Sequence, residues 1–511
     1  MVSRSKLNPV LSAAFGTAIG FYCLSTLYRS GHIAINGLLG LMLVPVSALC
    51  LFRVLASFPL YCKNRKLQLT VVYSAVFSAG LALGIGAGAA VSATTSFGIP
   101  VQNMRAIGGV LLEDPRLISG GRAMAVLSLR ETYGSGALRV SAKGEMTVFF
   151  PEENAGRLRE FGRGTRIFAE GRLRESSAAA GQYLFSAESM HITEPASALE
   201  RFRTGVRMSL VRRFDPVSAR SDVSARSDAP WGGLALALLL GIRDSLDTDI
   251  ASLYRDAGCS YILALSGMHL AVLASLIALL LKKTLGLKAA ALAGAVIIIL
   301  YCFIVGPLPS LNRAMLMYLL GVLAILGALP RDALSLLAMA FVMQVTVAPQ
   351  SGYSISFMLS YLALGGILIA GEALGVLCRG KMPPCLLQPL CASLGAFLAT
   401  AGITAFFFGV LRPVGILTGL ILVPLTTVFM IGSMAALALD FISPLLSRLI
   451  SPALSLLYMV MEKTVTVASR VPGINASSPV MVLALSLVLS FFIVYFAYRR
   501  MTAKNQLLSF G

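Results

Sequence analysis

The sequence has few of the side chains from which soluble enzymes build active sites. Only 13% of its 511 residues are charged, and its three histidines are His32, His191 and His269. They are too scattered to predict a His-rich metal site. The eight cysteines form no Cys-x-x-Cys pair, and none lies between residues 63 and 258, which excludes a zinc-finger spacing or a disulfide framework there. We therefore predict cysteines that pack as small apolar side chains, and no bound metal or other cofactor.

Long apolar runs dominate what is present. Hydrophobic residues make up 57% of the chain, and the mean hydropathy is +0.82. Several runs of about 20 apolar residues are each long enough to cross a hydrocarbon core of about 30 Å. The net charge of +19 lies mostly outside residues 100–230, where 19 basic residues accompany 15 acidic ones. Basic short loops are what the positive-inside rule produces in any bacterial membrane protein, so the charge is poor evidence for nucleic-acid binding.

Residues 1–95 are predicted to form three transmembrane helices, from apolar runs at about 11–27, 33–52 and 69–92. The loop between the second and third runs is basic, whereas the loop after the first is nearly uncharged. This asymmetry places the N-terminus in the cytoplasm and residue 93 outside. The third run has glycines that suit close helix packing, namely Gly80, Gly84, Gly86 and Gly88.

Residues 96–196 are predicted to fold outside the membrane as a small β-barrel. Alternating patterns at 123–129, 146–150 and 166–173 are typical of short strands, and glycine-containing turns separate them. Arginines and phenylalanines in this segment allow two interpretations: a groove that stacks bases and contacts phosphates, or a phenylalanine core with a solvated rim of arginine and glutamate. The arginines concerned are Arg157, Arg159, Arg163, Arg166, Arg172 and Arg174.

Residues 197–230 are predicted to be a basic amphipathic helix followed by a linker. The helix places arginines between apolar residues, which favours a position on an anionic membrane surface over a role in guiding DNA. The hexapeptide Val-Ser-Ala-Arg-Ser-Asp then occurs at 217–222 and again at 223–228. This small, polar repeat is typical of a flexible linker.

Residues 231–511 are predicted to form the main membrane core. The apolar stretch 231–242 is too short to span, which indicates a re-entrant or interfacial segment. Segment 445–470 contains charges and a proline, so it either crosses the membrane or lies on its surface as an amphipathic helix. The predicted spans are about 258–281, 288–306, 312–329, 334–349, 355–374, 388–409, 415–439 and 479–498.

Three polar groups interrupt these apolar runs. Polar side chains at membrane depth persist only where they face protein, a watery path or a ligand, although small residues also serve plain helix packing. Arg313 lies near the Gly306–Pro309 break, so it is either a snorkelling anchor or part of a path. The predicted path-lining residues are Ser266, Gly267, His269, Ser310, Asn312, Arg313, Ser356, Phe357, Ser360 and Pro424.

The chain resembles the ComEC-type competence family, integral-membrane proteins that pass transforming DNA into bacteria. The resemblance implies a polytopic α-helical membrane protein with an inserted OB-like barrel, located in the cytoplasmic (inner) membrane. Two departures stand out, because Tyr261 replaces a frequent histidine and Gly419 a common asparagine. The matching segments are Leu238–Asp244, Tyr254–Gly258, Leu265–His269, Pro309–Met315, Ser356–Ala363 and Leu422–Leu425.

The resemblance predicts a channel for single-stranded DNA during natural transformation, with no covalent chemistry by this chain. The sequence has no His-x-His-x-Asp-His signature, and little of it follows the last apolar run. We therefore expect no metallo-β-lactamase-like nuclease domain. Besides membrane lipids, the expected partners are a separate nuclease, a DNA receptor and a cytoplasmic motor; no sequence feature sets an oligomeric state.

Two other functions fit the same residues. One is a membrane transporter of another polyanion or a small solute, because one fold often serves several functions. The other is a membrane-embedded enzyme with His269 as its base, which is disfavoured because no second titratable partner is evident near it.

Overall fold

The computed structural model extends from the first apolar run to the last. It describes residues 9–29, 65–92, 99, 103–118, 121–134, 139–154, 158, 161–175, 183–214, 231–264, 267–329 and 331–507. The predicted span at 33–52 and the repeated linker at 217–228 lie outside these residues.

Two N-terminal helices, α1 (Pro9–Arg29) and α2 (Arg65–Ser92), pack with their backbones in direct contact. A Cβ atom added at Gly80 would lie 2.2 Å from the Ala13 carbonyl oxygen, and one at Gly84 would lie 2.2 Å from that of Thr17. Only glycine permits this approach, so two of the four predicted packing glycines have the predicted role. The Tyr22 hydroxyl donates to the Gly352 carbonyl at 2.9 Å and ties the pair to the main core.

The segment between the N-terminal helices and the membrane core forms a six-stranded sheet with one additional strand pairing. The order is β1-β5-β6-β4-β3-β2, and β1 also pairs with β3. All pairings are antiparallel except β4 with β6. The strands are β1 (Met104–Leu111), β2 (Arg116–Leu117), β3 (Ala123–Gly134), β4 (Arg139–Phe150), β5 (Arg166–Glu175) and β6 (Tyr183–Glu194).

Strand alternation explains the core of this sheet. In β3, alternate residues from Ala123 to Leu129 are buried, because successive side chains of a strand point to opposite faces. Ile107, Val148 and Phe185 from three other strands are fully buried in the same cluster. The three strands predicted from alternation are therefore confirmed within β3, β4 and β5.

The predicted basic surface helix is α3 (Ala198–Phe214), and its surroundings differ from the prediction. Arg203 is 1% exposed, whereas Phe202 is 69% exposed. The arginine is buried because it pairs with Asp114 and Glu200. The sequence pattern was wrong here because it assigns charged residues to the outer face and cannot detect an acidic partner on a distant loop.

The membrane core is helical, and the chain is a polytopic membrane protein. Seven helices are long and apolar enough to cross a membrane among the described residues. The elements are α4 (Gly232–Leu240), α5 (Thr248–Asp256), α6 (Ser260–Leu263), α7 (Gly267–Val305), α8 (Pro309–Leu326), α9 (Ala333–Val347), α10 (Ile355–Gly366), α11 (Glu372–Leu377), α12 (Pro384–Phe408), α13 (Val414–Ile442), α14 (Pro444–Ser469) and α15 (Pro479–Leu507). A five-residue 3-10 turn precedes α10, and a π-helical turn joins α10 to α11. The short strands β7 (Val410–Leu411) and β8 (Ile474–Asn475) form an antiparallel pair.

The short apolar segment at 231–242 is the centre of this core. It forms α4, whose nine residues are too few to span a membrane. Eight of them are buried, and seven, Leu234 to Leu240, belong to the largest hydrophobic cluster among the described residues. Gly241, in the left-handed conformation at φ 70°, ends the helix.

Two of the predicted spans need correction. The segment 258–281 is not one helix, because α6 ends at Leu263, Ala264 is extended and α7 begins only at Gly267. The predicted span at 334–349 is the 15-residue helix α9, which is shorter than the seven helices that fit a crossing. By contrast, α14 is among the seven helices that fit a crossing, which favours the first of the two interpretations of segment 445–470.

Helix α7 is a hairpin of two halves. Gly286 adopts φ 76° and ψ 171°, which no helical residue has, and it divides the 39-residue helix near its middle. A Cβ at Gly294 would lie 3.5 Å from Ile277 Cγ2, so the two halves pack on each other. The second half matches the predicted span at 288–306, the first half begins later than predicted, and the chain turns back between them.

Candidate functional site

The predicted motif lies where the chain breaks between α6 and α7. Gly258 adopts φ +71° before this break, a conformation that favours glycine. A Cβ at Gly415 would lie 2.5 Å from the Gly258 carbonyl oxygen, so the turn packs against the start of α13. Arg412 strengthens the contact with a 2.9 Å ion pair to Asp256. Ser266 lies outside the described residues.

Gly267, the first residue of α7, lies directly against the side chain of Arg313. A Cβ at position 267 would be 2.6 Å from Arg313 Nη2, so any larger residue displaces the guanidinium. Arg313 is only 7% exposed. Its Nη1 donates to the Ser360 carbonyl, and its guanidinium carbon lies 5.9 Å from the centre of the Tyr361 ring. The structure thus joins three separate motifs around one buried cation.

A polar bridge extends this site to α9. The Tyr361 hydroxyl donates to Gln344 Oε1 at 2.9 Å, and Gln344 Nε2 donates to the Pro309 carbonyl at 3.1 Å. We call Gly267, Arg313, Gln344, Ser360 and Tyr361 the Arg313 cluster. A buried charge is costly unless it is hydrogen-bonded, so the burial of Arg313 needs such polar surroundings.

Sequence reasoning missed Gln344 and Tyr361. Gln344 is 3% exposed and has the one side-chain amide in α9, an otherwise mostly apolar helix. A lone amide in such a run was the available signal, because a buried amide needs partners. Tyr361 belongs to a matching segment, but its aromatic ring gave no reason to separate it from packing residues.

The other predicted residues fall into different surroundings. His269 and Ser310 are buried, at 1% and 8% exposure, whereas Asn312 and Ser360 are half-buried and Ser356 is exposed. The role of each of these residues in a path remains a prediction.

Phe357 and Pro424 are placed differently from the prediction. Phe357 is 1% exposed and packs on Tyr361 at a ring-centre distance of 4.5 Å, within a hydrophobic cluster that includes Phe21. Its apolar ring fills space between helices. Pro424 is exposed on α13, on the same helix face as the exposed Ile421 and Val428. Its position on an apolar stripe separates it from the buried polar residues.

The two departures from the family pattern meet in space. A Cβ at Gly419 would lie 2.3 Å from the Tyr261 hydroxyl oxygen, so the tyrosine occupies the space that a side chain at 419 would need. Gly419 is buried and Tyr261 is 48% exposed. A large side chain at one position is thus accommodated by the absence of one at the other.

A second polar group connects the sheet to the membrane core. Arg203 Nη1 donates to Asp114 at 3.0 Å and to the Ile304 carbonyl at 3.3 Å. Arg207 Nη1 donates to Asp114 and, at 2.9 Å, to the Val305 carbonyl. Cations at the last carbonyls of a helix are favoured by its dipole. We call these five residues the Asp114 clamp.

The charge state of Asp114 follows from these contacts. Burial disfavours its ionised form, but the hydrogen bond from Arg203 and the charges of Arg207 and Arg203 outweigh burial and hold the pKa of Asp114 below its ordinary value. The Asp114 carboxyl group is therefore ionised at neutral pH.

Three of the six arginines predicted to contact nucleic acid have described side chains, and each of the three is paired with an acid. Arg163 pairs with Glu200, Arg166 pairs with Glu131 and Glu194, and Arg172 pairs with Glu188. Phe150 is 1% exposed in the hydrophobic core. These contacts favour the solvated-rim interpretation. Arg157 and Arg159, and the side chain of Arg174, lie outside the described part of the chain.

The acidic stretch before the motif serves local structure. Asp247 caps α5 by accepting from the Asp249 amide at 2.9 Å, and Asp256 pairs with Arg412. Asp244 accepts from the Leu117 amide at 3.3 Å, a second contact between the sheet and the core. Across the residues that the structure describes, no group of three or more potential metal ligands occurs.

Comparison with known protein families identifies the family to which the membrane core is similar. A family described as "Competence protein" matches residues 238–502, more than half of the chain. The chain belongs to the competence protein family. The match includes every residue of the Arg313 cluster, whereas the sheet precedes it. No curated protein matches the chain. Competence family membership supports a role in DNA uptake for this multi-pass membrane protein.

Proposed function

We propose that the chain conducts single-stranded DNA across the cytoplasmic membrane during natural transformation. The observation that carries this proposal is a buried arginine inside the competence match, at the point where broken helices meet. Broken helices at membrane depth are tolerated where they face protein or a watery cavity. A cation at such a place suits a polymer with one negative charge per nucleotide.

The proposed path runs past His269, the Ser310–Arg313 segment and the Ser356–Ser360 segment. The Arg313 cluster joins all three segments, which supports a shared role. Hydroxyl and imidazole N–H groups can donate to phosphate oxygens and bind them weakly enough to release them, as conduction requires. In this proposal the chain performs no covalent chemistry; a separate nuclease makes the single strand, a receptor delivers DNA and a cytoplasmic motor pulls it.

The sheet is proposed to be an OB-like barrel on the outer side of the membrane. The pairings support this, because β1, β3, β4, β6 and β5 each pair with two of the others and return to β1. A five-stranded, partly open barrel with Greek-key connections is the OB architecture. The Asp114 clamp then holds the barrel over the break that follows Val305.

DNA uptake and DNA binding test the proposed function together. Cells that lack the chain should take up no labelled DNA, and the purified chain in nanodiscs should bind longer single strands more tightly, with a strong salt dependence. A carrier of small solutes has no reason to respond to polymer length. Equal binding of short and long strands, or uptake that persists without the chain, would contradict the proposal.

The proposed absence of covalent chemistry has its own test. Purified protein with magnesium, manganese or zinc should leave end-labelled DNA intact. Metal-dependent cleavage that co-purifies with the chain, and is absent from a mock preparation, would refute this part of the proposal.

A further inference from the structure

Arg313 carries a charge that the described part of the chain does not neutralise. Its guanidinium contacts a carbonyl and an aromatic face, and no carboxylate among the described residues forms an ion pair with it. Its buried Nε has no hydrogen-bond partner. Arg203, the other buried arginine of the described chain, is paired with Asp114 and Glu200. A buried cation without a counter-ion is costly, and an anionic ligand removes that cost.

The surroundings of Arg313 add positive potential. Its Nη2 lies against Gly267, where α7 begins, and the first half of α7 extends 19 residues to Leu285 before the turn at Gly286. The N-terminal end of a helix carries a partial positive charge from its aligned peptide dipoles. The remaining cluster residues, Gln344, Ser360 and Tyr361, are neutral. Two positive groups thus meet in a buried place, which is the electrostatic arrangement of an anion site.

We propose that Gly267 and Arg313 form a phosphodiester subsite, in which Arg313 Nε and Nη2 donate to the phosphate oxygens of single-stranded DNA. This inference rests on the proposed function. The planar guanidinium matches two phosphate oxygens, and the missing side chain at 267 lets the guanidinium lie against the helix end. Because one arginine holds one phosphate at a time, the subsite orders the backbone without trapping it.

Variants at Arg313 measure the predicted contact directly. The full chain is placed in phosphatidylcholine nanodiscs, and the affinity for fluorescent oligo-dT is followed over a series of salt concentrations. Loss of one phosphate contact lowers the slope of log affinity against log salt by about 0.7 for single strands. We expect Arg313→Gln to show this decrease and to bind about tenfold more weakly at low salt, since bonds to charged groups are strong ones. Arg313→Lys should retain the slope.

Two control variants separate the subsite from general charge and packing effects. Arg331→Gln removes an exposed positive charge beyond the end of α8 and should leave slope and affinity unchanged. Gly267→Ala keeps every charge but pushes a methyl group to 2.6 Å from Nη2, so it should weaken binding severalfold. Gly321→Ala, also on α8, meets no atom within 4 Å and should bind like the parent protein.

The outcomes distinguish the inference from the function on which it rests. A parent protein that binds no oligo-dT overturns the proposed function and this inference together. A parent that binds, with Arg313→Gln and Gly267→Ala equal to it, overturns the inference alone. If Arg313→Gln unfolds, judged by its melting temperature, Gly267→Ala decides. The difference in slope between the parent protein and Arg313→Gln could also disappear when phosphatidylglycerol is added to the nanodiscs. That result would identify a lipid headgroup as the anion and would also overturn the inference.

Discussion

Two glycines of the core are required by what lies against them. At Gly267 the neighbour is the Arg313 guanidinium, and at Gly419 it is the Tyr261 hydroxyl. Neither glycine adopts a positive φ. Their substitution therefore acts through the displaced neighbour, and the neighbour can be altered to test this.

Gly419→Ala should destabilise the protein through Tyr261. The new methyl group would lie 2.3 Å from the hydroxyl oxygen, but the tyrosine is 48% exposed and its far end moves easily. We expect a cost on the order of 1 kcal/mol, read as a lower melting temperature. Tyr261→Phe removes the clashing oxygen, so the double variant should be more stable than the sum of the single effects indicates. Strict additivity would show that the two residues do not interact.

His269 is the residue at which transport and packing are most easily separated. A neutral imidazole both donates and accepts hydrogen bonds, which suits a wet path. We expect His269→Ala to lower DNA uptake per protein molecule, and His269→Gln to retain more uptake because an amide also donates and accepts. The measurement is uptake divided by protein abundance from immunoblots. His191→Ala, at an exposed position of β6, is the matched control and should change neither quantity. Unchanged uptake per molecule in His269→Ala would remove this residue from the path.

Helix α3 shows how an element acquires a role that its own sequence does not indicate. Its own sequence predicts a basic amphipathic helix on a membrane surface. In the structure, Arg203 and Arg207 link a loop of the sheet to the end of α7, and Arg213 pairs with Asp440 at 2.6 Å. The partner of Arg203 is 89 residues away in sequence, so no local pattern predicts the contact.

Loss of the Asp114 charge should weaken the attachment of the sheet. Asp114→Asn leaves the buried Arg203 with Glu200 as its one acidic partner, and breaking a buried pair costs roughly 3 kcal/mol. We expect a lower melting temperature and faster proteolysis between sheet and core. Glu113→Gln is the matched control, because the neighbouring Glu113–Arg116 pair is exposed and such pairs contribute little.

Acid should reproduce the effect of Asp114→Asn. The folded-state pKa of Asp114 is lowered, so its contribution to stability is complete above the ordinary value of 3.8 and is lost as the pH falls through the lower folded value. The parent protein should lose clamp stability in that range, whereas Asp114→Asn should show no such loss. Melting temperatures measured against pH in both proteins test this, and parallel curves would contradict it.

The elements that the sequence predicts well are those with a short, regular period. Alternation in β3 and the glycine spacing of Gly80 and Gly84 depend on neighbours a few residues apart, and both are present. The continuous span at 258–281 was wrong because hydropathy does not register a backbone break. Phe357 was misjudged for a related reason, since proximity to two serines in sequence does not place a ring in water. Ion pairs and hydrogen bonds across motifs require the tertiary fold.

At the scale of the molecule, the helical hairpin of α7 predicts which of its ends lies on which side of the membrane. Its two ends, Gly267 and Val305, lie opposite the turn at Gly286, because the halves pack antiparallel. The turn carries the exposed Lys282, Lys283 and Lys288, which the positive-inside rule assigns to the cytoplasm. The Asp114 clamp holds the sheet at the Val305 end. We therefore expect the sheet to lie on the outer side, as proposed above.

The number of later crossings and the basic residues after α15 predict the same side for the C-terminus. From Gly267 onward, the two halves of α7 are followed by α8, α9, the α10–α11 unit, α12, α13, α14 and α15. If each crosses, including α14 and the 15-residue α9, the number is odd, and a chain that starts outside ends in the cytoplasm. Arg499 and Arg500 at the end of α15 agree with that side.

Cysteine labelling tests this arrangement at its two extremes. Ser141→Cys places a thiol at an exposed position of the sheet, and Lys283→Cys places one at the exposed turn. With an impermeant maleimide on intact cells, permeabilised in any outer membrane, Ser141→Cys should react and Lys283→Cys should react only after the inner membrane is opened. The parent protein, which retains the exposed Cys385, sets the background. The reverse labelling order would place the sheet in the cytoplasm, and DNA would then meet the Arg313 cluster before the sheet.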